Sequence, residues 1–247
     1  MIQNIPKTIL RAACLSGLCA AFSVASLSGQ VVTTANDGAW IRNDSTAQSG
    51  GTDILATGTL NNSTTLRSLV TFNLPAAGSS AIPSNAGVWF YMDRDDIDDL
   101  PGLQTINLHL LAQDVERVVV DNNNQWPNWL EYSAGNAWNT PGGDFDPTPL
   151  ASVEIDMNTA GAGTTFTFQS SALTQALQTA ADGSGTISFA LDMPGLNQAA
   201  YDQRAIVWVQ GQTGSNPPTI IPEPSTYAAI FGGLALLGML LRRRMRK

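Results

Sequence analysis

The chain has 247 residues, of which 20 are acidic and 12 basic, so its formal net charge is −8. Seven of the basic residues lie near the two ends, and residues 26–221 keep five arginines against 19 acidic residues. Such an acidic segment argues against nucleic acid as a partner, because phosphates would be repelled. It is long enough for one sizeable core, and it suits a surface protein or one that binds divalent cations or neutral glycans.

Residues 1–25 have the features of a secretory signal peptide. Lys7 and Arg11 precede an apolar stretch over residues 12–24, and Ser23 and Ala25 place small side chains where a signal peptidase reads them. A buried N-terminal helix would need a polar face, which this stretch lacks. We therefore expect signal peptidase to cleave an exported precursor after Ala25, with a site after Ser28 as the alternative.

The only two cysteines, Cys14 and Cys19, lie inside the expected signal peptide. Cleavage would remove both of them. The mature domain is then expected to have no disulfide, no thiolate nucleophile and no zinc–thiolate site.

Short segments of alternating or β-branched character follow one another along the domain. Alternation is clearest in residues 66–74, where Leu66, Val70 and Phe72 fall on one side and Arg67 and Thr71 on the other. Turn residues separate the segments. The predicted strands cover 39–42, 53–60, 66–74, 88–92, 105–111, 115–120, 153–157, 166–168, 187–191, 205–209 and 219–221.

One segment has a helical period instead. Leu173, Leu177 and Ala180 recur at helical spacing, Ser170 or Ser171 is placed to cap the N-terminus, and Gly183 is placed to end the helix. We expect this helix to cover an edge or mouth of the sheets. The predicted fold is all-β, a jelly-roll-like antiparallel β-sandwich with one short helix.

An acidic run follows the predicted strand 88–92. Carboxylate oxygens at this density are the ligands that Ca²⁺ prefers. The run is not an EF-hand loop, because Ile97 takes a ligand position. A solvated acidic loop is the alternative, since exposed like charges are screened. The five carboxylates are Asp93, Asp95, Asp96, Asp98 and Asp99, in a predicted loop that ends at Pro101-Gly102.

Aromatic and amide side chains are concentrated between residues 122 and 138. Trp126, Trp129 and Tyr132 could stack on the apolar faces of sugars, and nearby amides, including Asn128, could bind hydroxyl groups. The alternative is that the tryptophans fix a long loop onto the sandwich, and Trp138 in particular fits that structural role.

Catalytic motifs are weak in this sequence. His109 is the only histidine, and no Gly-x-Ser-x-Gly motif accompanies it. Glu131 with Asp144 or Asp146 could form a glycosidase pair, which requires carboxyl groups roughly 5 to 9 Å apart. Acids beside aromatic residues are common without catalysis, so we expect a protein that is not an enzyme.

Several segments form a pattern that covers most of residues 31–221. They are Asp37-Gly38-Ala39-Trp40-Ile41-Arg42, Gly50-Gly51, residues 66–75, Trp129-Leu130-Glu131, Ala137-Trp138-Asn139-Thr140-Pro141, residues 166–170 and residues 216–220. The pattern is similar to DNRLRE-type domains, also described as carbohydrate-binding modules of family 96, although Asn73 and Ala137 stand where that family usually has Asp and often has Thr. The resemblance implies a jelly-roll β-sandwich of an extracellular, often polysaccharide-associated protein, with glycan binding in part of the family.

The last 26 residues have three parts in a fixed order. Pro222, Glu223 and Pro224 come first, an apolar run over 227–241 follows, and a basic cluster begins with Arg242, Arg243 and Arg244. At about 1.5 Å per residue the run spans roughly 23 Å, less than the ~30 Å of a bilayer core. The basic cluster would hold the C-terminus in the cytoplasm.

This order resembles the PEP-CTERM sorting signal of Gram-negative bacteria, which implies that an exosortase recognises and cuts the precursor near Pro222, Glu223 and Pro224. A stiff proline-rich spacer before a permanent membrane anchor is the alternative. Three functions follow from the sequence. We expect an exported protein of the cell envelope or extracellular matrix, first anchored in the inner membrane and associated with exopolysaccharide. A carbohydrate-binding module with a defined glycan, or a glycan hydrolase or lyase, are the alternatives.

Overall fold

The computed structural model describes residues 33–44, 53–60, 64–75, 82–83, 85–97, 102–115, 118–120, 123–125, 127–133, 135–194 and 205–222. All of them belong to one compact unit, Val31–Lys247. The expected signal peptide at 1–25 and the apolar run at 227–241 lie outside the described residues. Within the described ranges no helix is long and apolar enough to cross a membrane.

The described residues form strands and one α-helix, and every strand pairing is antiparallel. This confirms the expected all-β class with one short helix. The elements are β1 Thr33–Arg42, β2 Ile54–Leu60, β3 Thr64–Asn73, β4 Ala86–Ile97, β5 Leu103–Leu110, β6 Val118–Val120, β7 Asn123–Gln125, β8 Glu131–Ser133, β9 Asn136–Ala137, β10 Ala151–Asp156, β11 Thr165–Gln169, α1 Ser171–Asp182, β12 Thr186–Asp192, β13 Ala205–Gln210 and β14 Thr219–Pro222.

Two long strands, β1 and β4, are shared between two sheets. The start of β1 pairs with β14, and β14 and β11 pair with the first half of β4. We call this the small sheet. The large sheet runs β10-β5-β12-β3. From β3 it continues through β2 and β13 to the second half of β4, and β3 also pairs with β1. Because β1 and β4 pass from one sheet to the other, the sheets enclose a sandwich-like core.

The main core lies between the two sheets. Alternate residues of β4, including Val88 and Phe90, face Phe72 and Phe189 of the large sheet in one buried cluster. The Phe90 ring stacks on Phe166 with ring centroids 5.6 Å apart, and Phe72 meets Phe189 edge-on at 6.0 Å. Full burial of each such side chain stabilises the fold by roughly 1.5–3 kcal/mol.

Helix α1 closes this core at one end. The hydroxyl oxygen of Ser170 accepts a 2.9 Å hydrogen bond from the Leu173 amide, and Gly183 forms the C-cap, so both predicted ends are confirmed. Leu173 and Leu177 are fully buried in the main core. The helix contacts β4 and β12, one strand from each side of the sandwich, so it covers the mouth between them as expected.

The outer face of the large sheet is also covered. Leu69 points away from the main core and joins a second buried cluster with Ile41, Leu111, Val115 and Trp138. The residues that supply most of this cover are Leu111, Val115, Trp129, Tyr132, Trp138 and Phe145. Arg67 and Thr71, the polar residues of β3 on the same side as Leu69, therefore face a packed layer instead of solvent.

The predicted strand 115–120 is shorter than expected. Its described strand is β6, at Val118–Val120, and Val115 instead fixes the covering layer to the sheet. The Thr71 hydroxyl donates a 2.9 Å hydrogen bond to the Val115 carbonyl, and the Val115 amide donates to the Ser188 hydroxyl at 3.2 Å. These side chains replace a strand partner for the backbone of Val115.

The acidic run is not a loop from residue 93 to residue 97, so that part of the prediction is wrong. Strand β4 continues to Ile97 because β13 supplies a pairing partner, with Asp95 opposite Val207 and Asp96 opposite Ile206. Asp98 and Asp99, with the side chains of Asp95 and Asp96, lie outside the described part of the chain. Among the residues described, no three metal-ligating side chains come together. Calcium binding stays a hypothesis.

Candidate functional site

A groove on the outer face of the large sheet is centred on Arg67 of β3. Strand alternation turns this side chain away from the main core, toward the covering layer. The guanidinium carbon lies 5.1 Å from the ring centroid of Trp129 and 4.8 Å from that of Phe145. A cation between two rings is attracted by both ring quadrupoles, so the three side chains fix one another.

Polar contacts hold the same guanidinium from its edge. Nη1 of Arg67 donates a 2.8 Å hydrogen bond to the Gly142 carbonyl, and Nε donates to a carboxylate oxygen of Asp192 at 3.3 Å. The Arg67 and Asp192 side chains are 19% and 20% exposed, so this ion pair is shielded from solvent more than a surface pair. The charge of Arg67 is thus largely balanced inside the groove wall.

Gly142 is required where the loop crosses Arg67. Its φ of +92° is a conformation that residues with a side chain rarely adopt. A Cβ atom there would also lie 2.5 Å from Cζ2 of Trp129 and 2.6 Å from Nη1 of Arg67. The absence of a side chain lets the loop backbone approach the stacked arginine.

The loop over residues 139–144 is organised by Asp144. One carboxylate oxygen accepts the backbone and side-chain N–H groups of Asn139 at 2.7 and 2.9 Å. The other accepts the Thr140 amide at 2.6 Å. The Asp144 carbonyl accepts from the Ala112 amide at 2.8 Å, which ties the loop to the chain leaving β5. Asp144 therefore sets the shape of this loop.

Asn128 has a structural role, and the expectation that it faces a sugar is wrong. It is only 6% exposed. Its amide oxygen accepts the backbone N–H groups of Leu130 at 2.8 Å and Glu131 at 3.0 Å, and its amide nitrogen donates to the Glu131 carboxylate at 3.3 Å. Of the carboxylates suggested as a pair, Glu131 thus accepts from Asn128 and Asp144 accepts within its own loop, and Asp146, the alternative partner, accepts the Thr148 amide at 2.8 Å.

Trp138 fixes the loop to the sheet, as its sequence context predicts. It is 5% exposed and packs on Leu69 in the second cluster. Its indole N–H donates a 2.9 Å hydrogen bond to the Asn128 carbonyl, which satisfies the only polar atom of the ring. Tyr132 lies against it with ring centroids 5.4 Å apart. Tyr132 therefore supports the groove from below.

The groove itself has a volume of about 450 Å³ and combines one indole face with amide, hydroxyl and carboxylate groups. Of the three aromatic residues suggested for glycan contact, Trp129 lines it, Tyr132 lies beneath it and Trp126 is outside the described residues. Its lining residues are Arg67, Ala112, Trp129, Asn139, Thr140, Pro141, Gly143, Asp144 and Phe145.

His109 lies behind the groove and does not line it. It is 3% exposed, and its Nδ1 donates a 2.9 Å hydrogen bond to the Asp146 carbonyl. Because a carbonyl only accepts, Nδ1 carries a proton, and Nε2 has no hydrogen-bond partner among the described residues. The imidazole ring centroid is 4.8 Å from that of Phe145, so Phe145 contacts both His109 and Arg67.

Most of the groove residues, including Arg67 and Phe145, were not predicted as site residues from the sequence. Arg67 was noted only as a polar position of an alternating strand and as part of the family resemblance, and Phe145 was not singled out. The sequence does contain a signal, because a Gly-Gly pair before Asp144 and Phe145 indicates a close backbone approach. The structure brings Arg67, Trp129 and Asn139, all from resemblance segments, to one groove.

The sorting motif is only partly described. Pro222 is the last residue of β14 and pairs with Ala86, at the start of β4. Glu223, Pro224 and Arg242 to Arg244 lie outside the described residues. No protein-family model matches the chain, and no curated protein is significantly similar to it.

Proposed function

We propose that this chain is an exported protein of the cell envelope or extracellular matrix, and that its sandwich domain associates with polysaccharide through the Arg67 groove. The observation that carries the glycan role is the arrangement of Trp129. Its ring is fixed by the Arg67 guanidinium at 5.1 Å and lines a groove of about 450 Å³. A rigid aromatic wall binds a sugar ring with little loss of conformational entropy.

The polar part of the groove supports the same proposal. Asn139 and Thr140 are exposed at its rim, and their backbone N–H groups are already bound to Asp144. The Asn139 amide oxygen and the Thr140 hydroxyl can exchange hydrogen bonds with sugar hydroxyls while the loop keeps its shape, since the Asn139 amide nitrogen stays bound to Asp144. Such a combination of one apolar wall and a few placed polar groups is typical of small-molecule sites.

The charge balance favours a neutral glycan over an acidic one. Among the described residues that line the groove, Arg67 alone is cationic, and Asp192 already pairs with it. Asp144 adds a carboxylate to the lining, and the domain as a whole is strongly acidic. An acidic polysaccharide would be repelled by this field.

Binding rather than catalysis is the proposed role. Asp144 accepts three N–H donors within its own loop, and Glu131 accepts from Asn128. Carboxylates that hold loop backbone are poorly placed to move during a reaction. The finer fold assignment, a jelly roll of the DNRLRE type, is part of this proposal and is supported by the sandwich-like sheets.

A glycan array tests the binding role. The full chain, kept in non-ionic detergent, is compared with Trp129→Ala and with Trp208→Ala. Trp208 is also half-buried, but it packs on Trp40 with ring centroids 6.0 Å apart in a different cluster. We expect at least one neutral oligosaccharide to bind the wild type and Trp208→Ala and to be lost in Trp129→Ala. Equal binding by all three proteins would place the sugar elsewhere.

Export and sorting are proposed from the two ends of the chain. Signal peptidase would act on the precursor first, and an exosortase would later cut near Pro222. Because Pro222 belongs to β14, the sharper variant keeps it and replaces Glu223 and Pro224 by alanine. We expect this variant to stay uncleaved and membrane-retained in its native host, whereas normal maturation would contradict the exosortase proposal.

A further inference from the structure

The outer face of the small sheet carries an aromatic pair on its central strand. In β4, Val88, Phe90 and Met92 are fully buried in the main core, and Trp89 and Tyr91 alternate with them. Alternation therefore directs both rings to the opposite face, where they are half-buried. The ring centroids are 6.3 Å apart, and the ring planes are tilted by 50°.

Threonine residues flank both rings on the neighbouring strands. Trp89 is paired with Thr167 of β11 on one side and with Thr219 of β14 on the other. Tyr91 is paired with Thr165. Directly paired residues point to the same face with Cβ atoms roughly 4.5–5.5 Å apart. The face is thus a row of two aromatic rings with hydroxyl groups beside each of them.

No charge occurs on the strand segments that form this face. Residues 86–91 of β4, all of β11 and all of β14 lack acidic and basic residues. The domain around them carries 19 acidic residues, and Glu154 and Asp156 of β10 line a pocket together with Thr165 at one end of the face. The uncharged aromatic strands favour an uncharged partner over a polyanion, which the acidic domain around them would repel.

We propose that this face, defined by Trp89, Tyr91, Thr165, Thr167 and Thr219, is a second binding surface for an uncharged polysaccharide chain. Aromatic rings contact the apolar faces of sugar rings, and the Thr165 and Thr167 hydroxyls exchange hydrogen bonds with sugar hydroxyls. The Thr219 hydroxyl donates to the Pro217 carbonyl at 2.7 Å and can accept a bond from a sugar hydroxyl. The surface is independent of the Arg67 groove. The two lie on opposite faces of the sandwich, with the main core between them, so one domain can hold two polysaccharide chains.

Affinity electrophoresis of the full chain in non-ionic detergent tests the proposal, with dextran, galactomannan or xylan in the gel as neutral probes and alginate as the acidic probe. We expect at least one neutral polysaccharide to retard the wild type. The double variant Trp89→Ala/Tyr91→Ala should raise the apparent Kd about tenfold. The variant Trp129→Ala should still be retarded, and adding Trp89→Ala to it should weaken that retardation. Circular dichroism checks that each variant is folded.

A pair of charge variants keeps the test valid if the double variant fails to fold. Thr165→Asp adds a carboxylate beside Tyr91 at an exposed position, and Ser152→Asp adds one at an exposed position of β10. We expect only Thr165→Asp to weaken retardation. Four results would overturn the proposal: no retardation by any neutral probe, retardation by alginate alone, no effect of Thr165→Asp, or a dimer of the wild type that Thr165→Asp dissociates. The last result would make this face an interface between copies.

Discussion

The carbonyl oxygen of Gly142 accepts a 2.8 Å hydrogen bond from Nη1 of Arg67, and this bond joins β3 to a loop 75 residues away in sequence. The same loop backbone is held to Trp129, whose carbonyl accepts from the Gly142 amide at 2.7 Å. Gly142 thus connects the two residues that define the groove wall. Its substitution should affect stability and glycan binding together.

Gly142→Ala should lower the free energy of unfolding by roughly 2–4 kcal/mol, because backbone strain and a steric overlap with Trp129 add. Gly135→Ala is the matched control, since Gly135 also has a positive φ, of +74°, but open space around its Cβ position. Gly135→Ala should lower the free energy of unfolding only by the backbone strain, about 1 kcal/mol. Urea denaturation measures both. Equal losses would show that the loop does not approach Trp129 as described.

Arg67→Lys tests the planar stack. A lysine keeps the charge but cannot lie flat between Trp129 and Phe145 or reproduce the fixed geometry toward Gly142 and Asp192. We expect a loss of about 1–2 kcal/mol in unfolding free energy, together with weaker glycan binding. The control Arg42→Lys changes an exposed arginine paired with Asp44 and should cost less than about 0.5 kcal/mol. Similar losses in the two variants would contradict the stacked role of Arg67.

Thr71→Val should destabilise the cover of the large sheet. The substitution keeps the shape and removes the donor to the Val115 carbonyl, which is buried and would lose that bond. The expected loss is about 1–3 kcal/mol. Thr179→Val is the control, since its hydroxyl bonds the Gln175 carbonyl on the exposed side of α1. Hydrogen exchange should speed up at residues 111–115 in Thr71→Val alone, and unchanged exchange there would contradict the anchoring role.

The ion pair between Arg42 and Asp44 predicts how the stability of the fold depends on pH. The Arg42 guanidinium, which donates to its carboxylate, lowers the pKa of Asp44 from 3.8 to about 2. A lowered folded-state pKa means that the pair stabilises the fold above the ordinary Asp pKa and that this contribution is lost as the pH falls from about 4 through 2. NMR titration should find the low value in the wild type and a value near 3.8 in Arg42→Gln. Equal values in the two proteins would rule out the pair in solution.

Calcium binding is tested by chelation. If the acidic run binds Ca²⁺, EDTA should lower the thermal midpoint of the wild type, and Asp95→Asn/Asp96→Asn should abolish that difference. Asp53→Asn is the control for the loss of an exposed carboxylate elsewhere. An unchanged midpoint after chelation would leave the run as the charged end of β4.

The sequence predicts the local elements well because their signals are local. Alternation in 66–74 and 187–191 predicted strands that the structure contains, and Ser170 and Gly183 marked both ends of α1. The acidic run was wrongly assigned to a loop, since the carboxylates lower strand propensity but β13 supplies a partner 110 residues away.

The site was harder to predict because it depends on pairs that are distant in sequence. Arg67 has the pattern of a solvent-facing strand residue, and only the fold brings Phe145 and Asp192 to it. Trp89 and Tyr91 were hidden for another reason. Residues 88–92 are all apolar or aromatic, so the sequence does not distinguish the buried side of β4 from the side that faces outward.

Hydrogen–deuterium exchange with a bound glycan tests the central proposal most directly. The full chain is labelled alone and with a saturating neutral oligosaccharide taken from the array. We predict slower exchange in peptides covering residues 127–145, which include Trp129 and the loop held by Asp144. Saturation of the protein with no change in those peptides would contradict glycan binding in the Arg67 groove.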